Sequence, residues 1–504
     1  MALHTTRRQL LAGVTLSLAS RYLPAEPTER QLLQPFGALP SSRQLAWHKL
    51  ETYAFLHFTV NTFTDREWGS GDEDPNLFSP TDFDADSIVL DLKRAGMKAV
   101  ILTCKHHDGF CLWPTKTTEH SIRHSSWQDG KGDVVRDISV AARQHGLKFG
   151  VYVSPWDRNN AYYGKPEYLP IYRAQITELL SNYGPIFEIW FDGANGGDGY
   201  YGGAREKRLI DKATYYQWPT IVNIVRRLQP DAVIFGKTGD IRWIGNEKGI
   251  AANTCWATYG TPKVKGHQAE DIHASADTNL EPPNGVRFGD QWKPAECDVS
   301  IRPGWFYHLS EDDEVRTPDN LVDLYFESVG KGASLLLNFP SNRKGRIAPQ
   351  DATSGAIFHE RIEKMFSRNL AAEALLIPSN VRGQEKRYSA ACLVDGNESS
   401  FWATDDNVHT PELIVQYNKP VEIAILRLRE AIALGQRIAG VAVDRWQDDH
   451  WVPIAAATSI GPCRLIRLDQ PVQTQRLRLR VTNSPVAIAL SELGIYSLHD
   501  KELN

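Results

Sequence analysis

Several features that would mark a particular kind of protein are scarce or missing in this 504-residue sequence. It has only six cysteines, with no CxxC pair, so we expect free, buried thiols rather than a disulfide framework or a cysteine-rich metal site. No apolar run is long enough to cross a bilayer. Basic residues number 56 against 61 acidic ones, a formal charge of −5, which argues against nucleic-acid binding as the main task.

Aromatic side chains, by contrast, are plentiful. The 14 tryptophans and 18 tyrosines suit a protein that stacks rings against apolar ligand faces, including those of sugars, although most rings are expected to fill cores. Hydrophobic residues make up 42% and charged residues 23%, which is ordinary for a globular chain. The length exceeds what one hydrophobic core organises, so we expect at least two domains.

The N-terminus has the pattern of an export signal. Arg7 and Arg8 precede a short apolar stretch, Ala12 to Ser20, which resembles a twin-arginine signal. The alternative is an ordinary disordered tail. We assign residues 1–27 as a signal-like segment, which predicts a periplasmic or secreted protein.

From about Leu45 the sequence alternates strand-like runs with amphipathic helices, as in a parallel sheet. Eight candidate strands predict an α/β fold, a (β/α)₈ TIM-like barrel over residues 28–369, with an open doubly wound sheet as the alternative. The barrel is favoured because polar and aromatic residues cluster at the carboxyl ends of the strands. The candidate strands are Tyr53–Val60, Ala99–His106, Lys148–Ser154, Phe187–Asp192, Ala232–Gly236, Thr254–Thr258, Trp305–Leu309 and Ser334–Phe339.

After a predicted helix at Ser354–Phe366 the pattern changes. Short alternating runs separated by Pro, Gly, Asn and Asp, without any helical period, predict an all-β sandwich domain over residues 370–504.

The fourth candidate strand carries two carboxylates. Alternation puts Glu188, Trp190 and Asp192 on one face, directed into a barrel. Glu188 and Asp192 are roughly 13 Å apart along a strand, whereas a retaining glycosidase pair needs about 5–5.5 Å, so they do not form such a pair. Asp192 stands at the reactive end, unless it is only a turn cap, and Glu188 is expected to brace the interior.

Histidines cluster at the ends of the first two strands. His106 and His107 close the second strand, His57 lies near the end of the first, and Glu67 and Trp68 follow in the next loop. No metal-site spacing is present, so neutral imidazoles that donate hydrogen bonds to ligand hydroxyls fit better than a metal centre. Satisfied core histidines are the alternative.

A second carboxylate follows the fifth strand, where Asp240 and Glu247 are both candidates for a general acid. Desolvation against Trp243 would raise the pKa of such an acid into the range needed to protonate a leaving oxygen. The spacing does not choose between the two.

Five segments, AFLHFTVNTFTDREWG, ILTCKHHDGFCLWP, GVYVSPWDRN, EIWFDGANG and RWIGNEKG, jointly resemble glycoside hydrolase family 29, the α-L-fucosidases. The TFTDREWG, SPWDRN and RWIGNE versions are similar to the branch that cuts α-1,3/1,4-linked fucose from Lewis-type glycans. The resemblance spans about Leu45 to Pro340. It implies a retaining exo-hydrolase of fucosylated oligosaccharides or glycoconjugates that needs no metal or organic cofactor. The implied roles are nucleophile for Asp192, general acid/base for Glu247, and substrate binding for His57, Glu67, Trp68, His106, His107, Trp156 and Asp157.

The resemblance leaves alternatives open: a broad-specificity α-L-fucosidase, a hydrolase of another deoxy-sugar, and a non-catalytic fucose-binding lectin. In the tail, the segments YSAACLVDGN and FWA resemble a discoidin, or coagulation-factor C-type, sandwich. That resemblance implies either a carbohydrate-binding domain or a module that only packs on the barrel. For the sugar that carries fucose, Trp113, Trp127, Trp156 and Trp256 are candidate stacking surfaces.

Overall fold

The computed structural model describes residues 32–236, 238–262 and 284–497, and two large hydrophobic cores organise them. One core lies in the strand–helix part of the chain and the other in the all-β part. The predicted signal-like segment, residues 1–27, lies outside the described residues. The α-helices are α1 (Ser42–His48), α2 (Asn61–Thr64), α3 (Ala85–Arg94), α4 (Val134–Gln144), α5 (Tyr168–Asn182), α6 (Trp218–Leu228), α7 (Pro318–Glu327) and α8 (Pro349–Met365).

A nearly closed parallel barrel forms the first part of the chain. Its strands and hairpins are β1 (Thr52–Leu56), β2 (Ala99–Lys105), β3 (Lys148–Val153), β4 (Glu188–Trp190), β5 (Gly197–Gly199), β6 (Glu206–Arg208), β7 (Val233–Phe235), β8 (Arg242–Trp243), β9 (Thr258–Pro262), β10 (Gly289–Trp292), β11 (Ala295–Ser300) and β12 (Ser334–Asn338). The sheet order is β7–β4–β3–β2–β1–β12–β11–β8. A parallel bridge from Phe235 to Ile241 brings its two ends together. The predicted barrel is confirmed.

Two of the eight predicted strands are wrong. Thr254–Thr258 only leads into β9, which pairs with β10 as an antiparallel hairpin, and Trp305–Leu309 is a loop. The barrel instead uses β8 and β11. Strand β8 has two residues, too few to show a period. Strand β11 does alternate apolar residues with Glu296, Asp298 and Ser300, and the sequence reading overlooked that strand signal.

Helices α3 and α4 show why the strand–helix alternation can be predicted. The carboxylates of Asp84 and Asp133 accept hydrogen bonds from backbone N–H groups in the first turn of each helix. Each helix ends before a glycine with positive φ, Gly96 or Gly146. Their apolar faces are buried against the barrel core. Both helices confirm the predicted alternation of strands with amphipathic helices.

Glu188 lies buried inside the barrel, as expected. The Trp47 indole N–H donates to Glu188 Oε2 over 3.1 Å. Nearby, Glu296 accepts hydrogen bonds from the Tyr53 hydroxyl and, over 2.8 Å, from the Trp190 indole. Burial, and after it the charge of Glu296, raises the pKa of Glu188 well above its ordinary value.

The second part of the chain is an antiparallel sheet domain, as predicted. Several predicted runs merge into long strands, because Pro and Asn within them interrupt the pattern without ending the ladder. The strands are β13 (Leu375–Pro378), β14 (Trp402–Ala403), β15 (Glu412–Glu430), β16 (Gly440–Gln447), β17 (His450–Ala457), β18 (Arg464–Asn483) and β19 (Ala489–Tyr496).

The sheet domain packs directly on the barrel. Arg429 forms an ion pair with Glu51, and Cys255 donates its backbone N–H to Ser459 Oγ over 3.1 Å. Leu465 and Tyr496 of the sheet domain belong to the barrel's core cluster. All six cysteines are free and buried, which confirms the sequence prediction. Among the described residues, no helix is long and apolar enough to cross a membrane.

Candidate active site

The candidate site lies where the barrel strands end at their carboxyl termini. His57 follows β1, His106 and His107 follow β2, and Asp192 follows β4 by two residues. The rings of His57 and His106 are 6.0 Å apart, and those of His106 and His107 are 4.1 Å apart. Residues far apart in sequence therefore meet in one pocket, because parallel strands present their ends at one face of a barrel.

Asp192 is held as an oriented carboxylate. The Tyr152 hydroxyl donates to Asp192 Oδ2 over 2.7 Å, and the Ala194 backbone N–H donates to Oδ1 over 2.6 Å. His107 Nε2 lies 3.8 Å from Oδ2, and the side chain is 22% exposed. A partly open carboxylate that is fixed by hydrogen bonds on both oxygens suits attack on a bound substrate.

The three histidines are neutral. Burial lowers the pKa of His57 to about 4 and lowers those of His106 and His107 below their ordinary value. The Ser154 hydroxyl donates its hydrogen bond to the Trp156 carbonyl, so toward His107 it can only accept. His107 Nδ1 therefore carries the proton and donates to Ser154 Oγ over 2.7 Å. His107 Nε2 is thus unprotonated and can only accept a hydrogen bond, whereas the sequence predicts imidazoles that donate.

Glu67 and Trp68 border this pocket. Trp68 is 52% exposed, and its ring lies edge-on to His107 at 5.1 Å and to Trp156 at 5.6 Å. Glu67 accepts backbone hydrogen bonds from Trp305 over 2.8 Å and from Phe306 over 3.0 Å. An exposed indole beside neutral imidazoles provides an apolar surface for a sugar face.

Of the two neighbouring residues Trp156 and Asp157, it is Trp156 whose side chain packs against the histidine cluster. Trp156 is buried against His107, with its indole N–H donated to Tyr201 over 2.9 Å. Asp157 is only 2% exposed, and its carboxylate binds Lys105 Nζ over 3.3 Å and the Asn160 backbone N–H over 3.0 Å. The structure therefore brings Trp156 to the histidine cluster but uses the Asp157 carboxylate inside the protein.

The two candidate acids, Asp240 and Glu247, differ in environment. Asp240 is buried, pairs with Arg43 over 3.0 Å and with Arg226, and accepts the Ile234 backbone N–H over 2.8 Å. Those contacts make it a structural brace. Glu247 is exposed, and its Oε2 accepts a hydrogen bond from the Trp305 indole over 3.2 Å.

Trp243, which the sequence places beside the general acid, does not hydrogen-bond Glu247. Its indole N–H donates to the buried Asp298 over 2.7 Å. Burial raises the pKa of Asp298, and the charges of Glu296 and Glu247 add to that shift. Trp305 stands in place of Trp243 beside Glu247.

Sequence reasoning missed four residues of this site: Tyr152, Trp305, Asn338 and His308. Tyr152 lies at an inward position of β3, and strand alternation could have identified it. Asn338 ends β12 and accepts a 2.8 Å hydrogen bond from His57 Nδ1, while its amide donates to the Trp305 carbonyl over 2.8 Å. No pattern in the sequence places Trp305 or His308, because both lie in an irregular loop.

Of the other tryptophans considered for the adjoining sugar, Trp113 and Trp256 are buried and Trp127 packs against the barrel core. In the described ranges, no three His, Cys, Asp or Glu side chains converge as a metal site.

A parallel barrel that presents separate carboxylates among indoles and neutral imidazoles at its catalytic face has the design of a glycoside hydrolase. Comparison with known proteins agrees. Residues 39–354 match the family model for α-L-fucosidase, and residues 378–493 match the F5/8 type C domain. The chain is 39% identical to α-L-fucosidase 1 of Arabidopsis thaliana over 467 residues, which cover 92% of this chain and 88% of the plant protein.

Two solved structures are similar over most of the chain. A glycoside hydrolase 29 family member from an unknown rumen bacterium has a TM-score of 0.79 and 39% identity, covering 92% of this chain and 78% of that one. A Ruminococcus gnavus GH29 fucosidase in complex with fucose has a TM-score of 0.80 and 30% identity, covering 92% and 96%. The chain belongs to the α-L-fucosidase family, glycoside hydrolase family 29, with a C-terminal F5/8 type C domain. It is an α-L-fucosidase.

Proposed function

We propose that this enzyme is a retaining exo-α-L-fucosidase that removes terminal α-1,3/1,4-linked fucose from branched, Lewis-type glycans. The observation that carries the proposal is the pair of differently held carboxylates, Asp192 fixed by Tyr152 and Glu247 hydrogen-bonded to Trp305. The rings of Trp305 and His57 are 5.3 Å apart, so the residues around the two carboxylates form one continuous wall.

The reaction has two displacements. Asp192 attacks the anomeric carbon and forms a covalent glycosyl ester as the bond to the leaving oxygen breaks, and Glu247 gives its proton to that oxygen. Glu247 then takes a proton from water, whose oxygen attacks the same carbon and releases Asp192. Two inversions return the α configuration. The exposure of Glu247 suits this role, because the carboxyl group must exchange protons with the leaving group and with water.

Fucose recognition follows from the chemistry of the pocket. The unprotonated Nε2 of His107 accepts a hydrogen bond from a fucose hydroxyl close to Asp192. His57, His106 and Glu67 supply further polar contacts. The exposed Trp68, packed edge-on against the buried Trp156, supplies apolar surface for the sugar ring. The fucose complex of the Ruminococcus gnavus relative supports a fucosylated substrate.

The α-1,3/1,4 preference rests on the segments TFTDREWG, SPWDRN and RWIGNE. All three segments reach the catalytic face of the barrel, and they contribute Trp68, Trp156 and Glu247. A branched acceptor carries galactose beside the fucosylated sugar, and contacts with that galactose contribute binding energy in the transition state.

The stereochemistry of the first-formed product tests the mechanism. Early-time proton NMR during hydrolysis of an aryl α-L-fucoside should show α-fucose before mutarotation. First appearance of β-fucose would refute the assignment of Asp192 as nucleophile. In Asp192→Gly, azide should fill the vacated space and give the inverted β-fucosyl azide in a single turnover.

We also propose that the enzyme is exported to the periplasm or beyond, on the strength of the Arg7-Arg8 segment. Fractionation of the producing cell should find a shortened mature enzyme outside the cytoplasm, and replacement of both arginines by lysine should leave the full-length precursor inside. A full-length cytoplasmic wild-type protein would contradict export.

A further inference from the structure

His308 lies in the loop after β11 and bridges two acidic side chains of the loop after β1. Its Nδ1 is 2.8 Å from Asp65 Oδ1, and its Nε2 is 2.8 Å from Glu67 Oε1. Ionised carboxylates accept hydrogen bonds and have none to donate. Both ring nitrogens must therefore carry protons, and the bridge requires the imidazolium form.

The Glu67 end of this bridge reaches the candidate site. Glu67 accepts the backbone N–H groups of Trp305 and Phe306, so its two oxygens hold the loop that carries Trp305. The Trp305 carbonyl is held by Asn338, whose side chain also binds His57. The indole of Trp305 reaches Glu247. The orientation of the Glu67 carboxylate is therefore coupled to the position of the loop that carries Trp305.

We propose that His308 is a positioning residue for fucose binding: its imidazolium fixes the Glu67 carboxylate and the Trp305 loop in the geometry that receives the sugar. Loss of the ring proton breaks one of the two bridges, because a neutral imidazole donates through one nitrogen only. The role rests on the proposed function in that Glu67 contacts fucose.

The charges around His308 favour its protonated form. Burial lowers its pKa, but the hydrogen bonds to Asp65 and Glu67, with the charges of Glu67 and Glu311, outweigh burial and raise it above the ordinary histidine value. Two cations lie farther out: Arg302 donates to the His308 carbonyl over 3.3 Å, and Arg343 lies 3.9 Å from Asp65. By contrast, His57, His106 and His107 have lowered pKa values and are already neutral where His308 loses its proton.

Fucose binding to the full-length enzyme across pH tests the proposal, since equilibrium binding includes no proton transfer from Glu247. Calorimetric titration with free fucose should give a dissociation constant that weakens about tenfold between about pH 6 and about pH 9.5 in the wild type. His308→Gln retains a neutral donor, so its dissociation constant should be about tenfold weaker at pH 6 and flat with pH. The two proteins should converge at alkaline pH.

The matched control is His145→Gln, which removes a histidine–carboxylate pair with Asp86 on the outside of the barrel. It should retain the wild-type pH curve. Parallel curves for wild type and His308→Gln would overturn the proposal, as would an NMR titration of the His308 ring with a pKa at or below the ordinary value. Absence of both fucoside hydrolysis and fucose binding in the wild type would refute the proposed function instead, and the NMR titration would still judge the imidazolium bridge.

Discussion

The Tyr152 hydroxyl and Asp192 Oδ2 are joined by a 2.7 Å hydrogen bond at the carboxyl ends of two adjacent strands of the barrel. Tyr152 also stacks on Trp190, at 5.2 Å between ring centroids, so the hydroxyl has little freedom to turn away. A phenol fixed in this way orients the carboxylate for in-line attack.

We therefore expect Tyr152→Phe to fold normally and to lose activity. The ring and its stacking remain, while a hydrogen bond to a charged group, worth roughly 1.5–3 kcal/mol, is removed. The kcat for an aryl fucoside should fall about 10- to 100-fold. Tyr163→Phe is the matched control, because it removes a buried hydroxyl that is hydrogen-bonded to Tyr216 and not to Asp192. Equal loss in both variants would mean that the effect is structural.

The environments of Asp240 and Glu247 predict opposite phenotypes. Glu247→Ala should damage Lewis trisaccharide cleavage far more than aryl-fucoside cleavage, since an aryl leaving group departs without a proton. Added azide should then give the retained α-fucosyl azide. Steady-state kinetics with both substrates, and NMR of the azide product, measure this.

Asp240→Asn should instead lower stability by about 2–4 kcal/mol, because it leaves Arg43 and Arg226 without their shared carboxylate. Chemical denaturation measures the loss, and the folded fraction should keep the wild-type substrate preference. If Asp240→Asn selectively impaired natural substrates at unchanged stability, the roles of the two residues would be reversed.

Linkage preference is tested by competing substrates. Lewis a and Lewis x trisaccharides should be cleaved faster than α-1,2-linked 2′-fucosyllactose by at least about tenfold, or roughly 1.4 kcal/mol. Removal of the branching galactose should lower kcat/KM. Equal rates, or faster α-1,2 cleavage, would place the enzyme among broad-specificity fucosidases.

Among the four tryptophans first considered, Trp156 is the one that reaches the histidine cluster, so Trp156→Ala should reduce the linkage preference while Trp113→Ala should not.

The buried Glu188 predicts a pH dependence of stability. Because its pKa is raised, the folded state binds the Glu188 proton more tightly than the unfolded state does. The contribution of this proton to the free energy of unfolding is therefore present near the ordinary carboxyl pKa of 4.5 and declines as pH rises above it. Glu188→Gln imitates the protonated carboxyl. Its melting temperature relative to wild type should therefore increase from about pH 5 to about pH 8. A constant difference across that range would show that Glu188 does not titrate there.

Much of this architecture could be predicted from local patterns. Helices α3 and α4 have capping aspartates, apolar faces and terminal glycines, and each signal lies within a dozen or so residues. Strand β4 could be read from its alternation, which also identified Asp192 as the inward group at the reactive end and separated it from Glu188. The histidines after β1 and β2 were identified because parallel strands bring their ends together.

Other features depended on contacts between distant segments. Asp240 and Glu247 look alike in sequence, and only the arrangement of Arg43 and Arg226 around one of them distinguishes a brace from a candidate acid. The two-residue β8 has no pattern of its own, and its pairing with β11 alone defines it as a strand.

By itself, the amino-acid sequence determined the barrel, the β domain that follows it, and the family to which the enzyme belongs, because those depend on periodicity and on motifs that are local in the chain. Only the tertiary structure decided which indole reaches Glu247, which tautomer His107 adopts, and that His308 bridges Asp65 and Glu67. Each of these depends on contacts between segments that are 47 or more residues apart in the chain, and on the burial that folding alone creates.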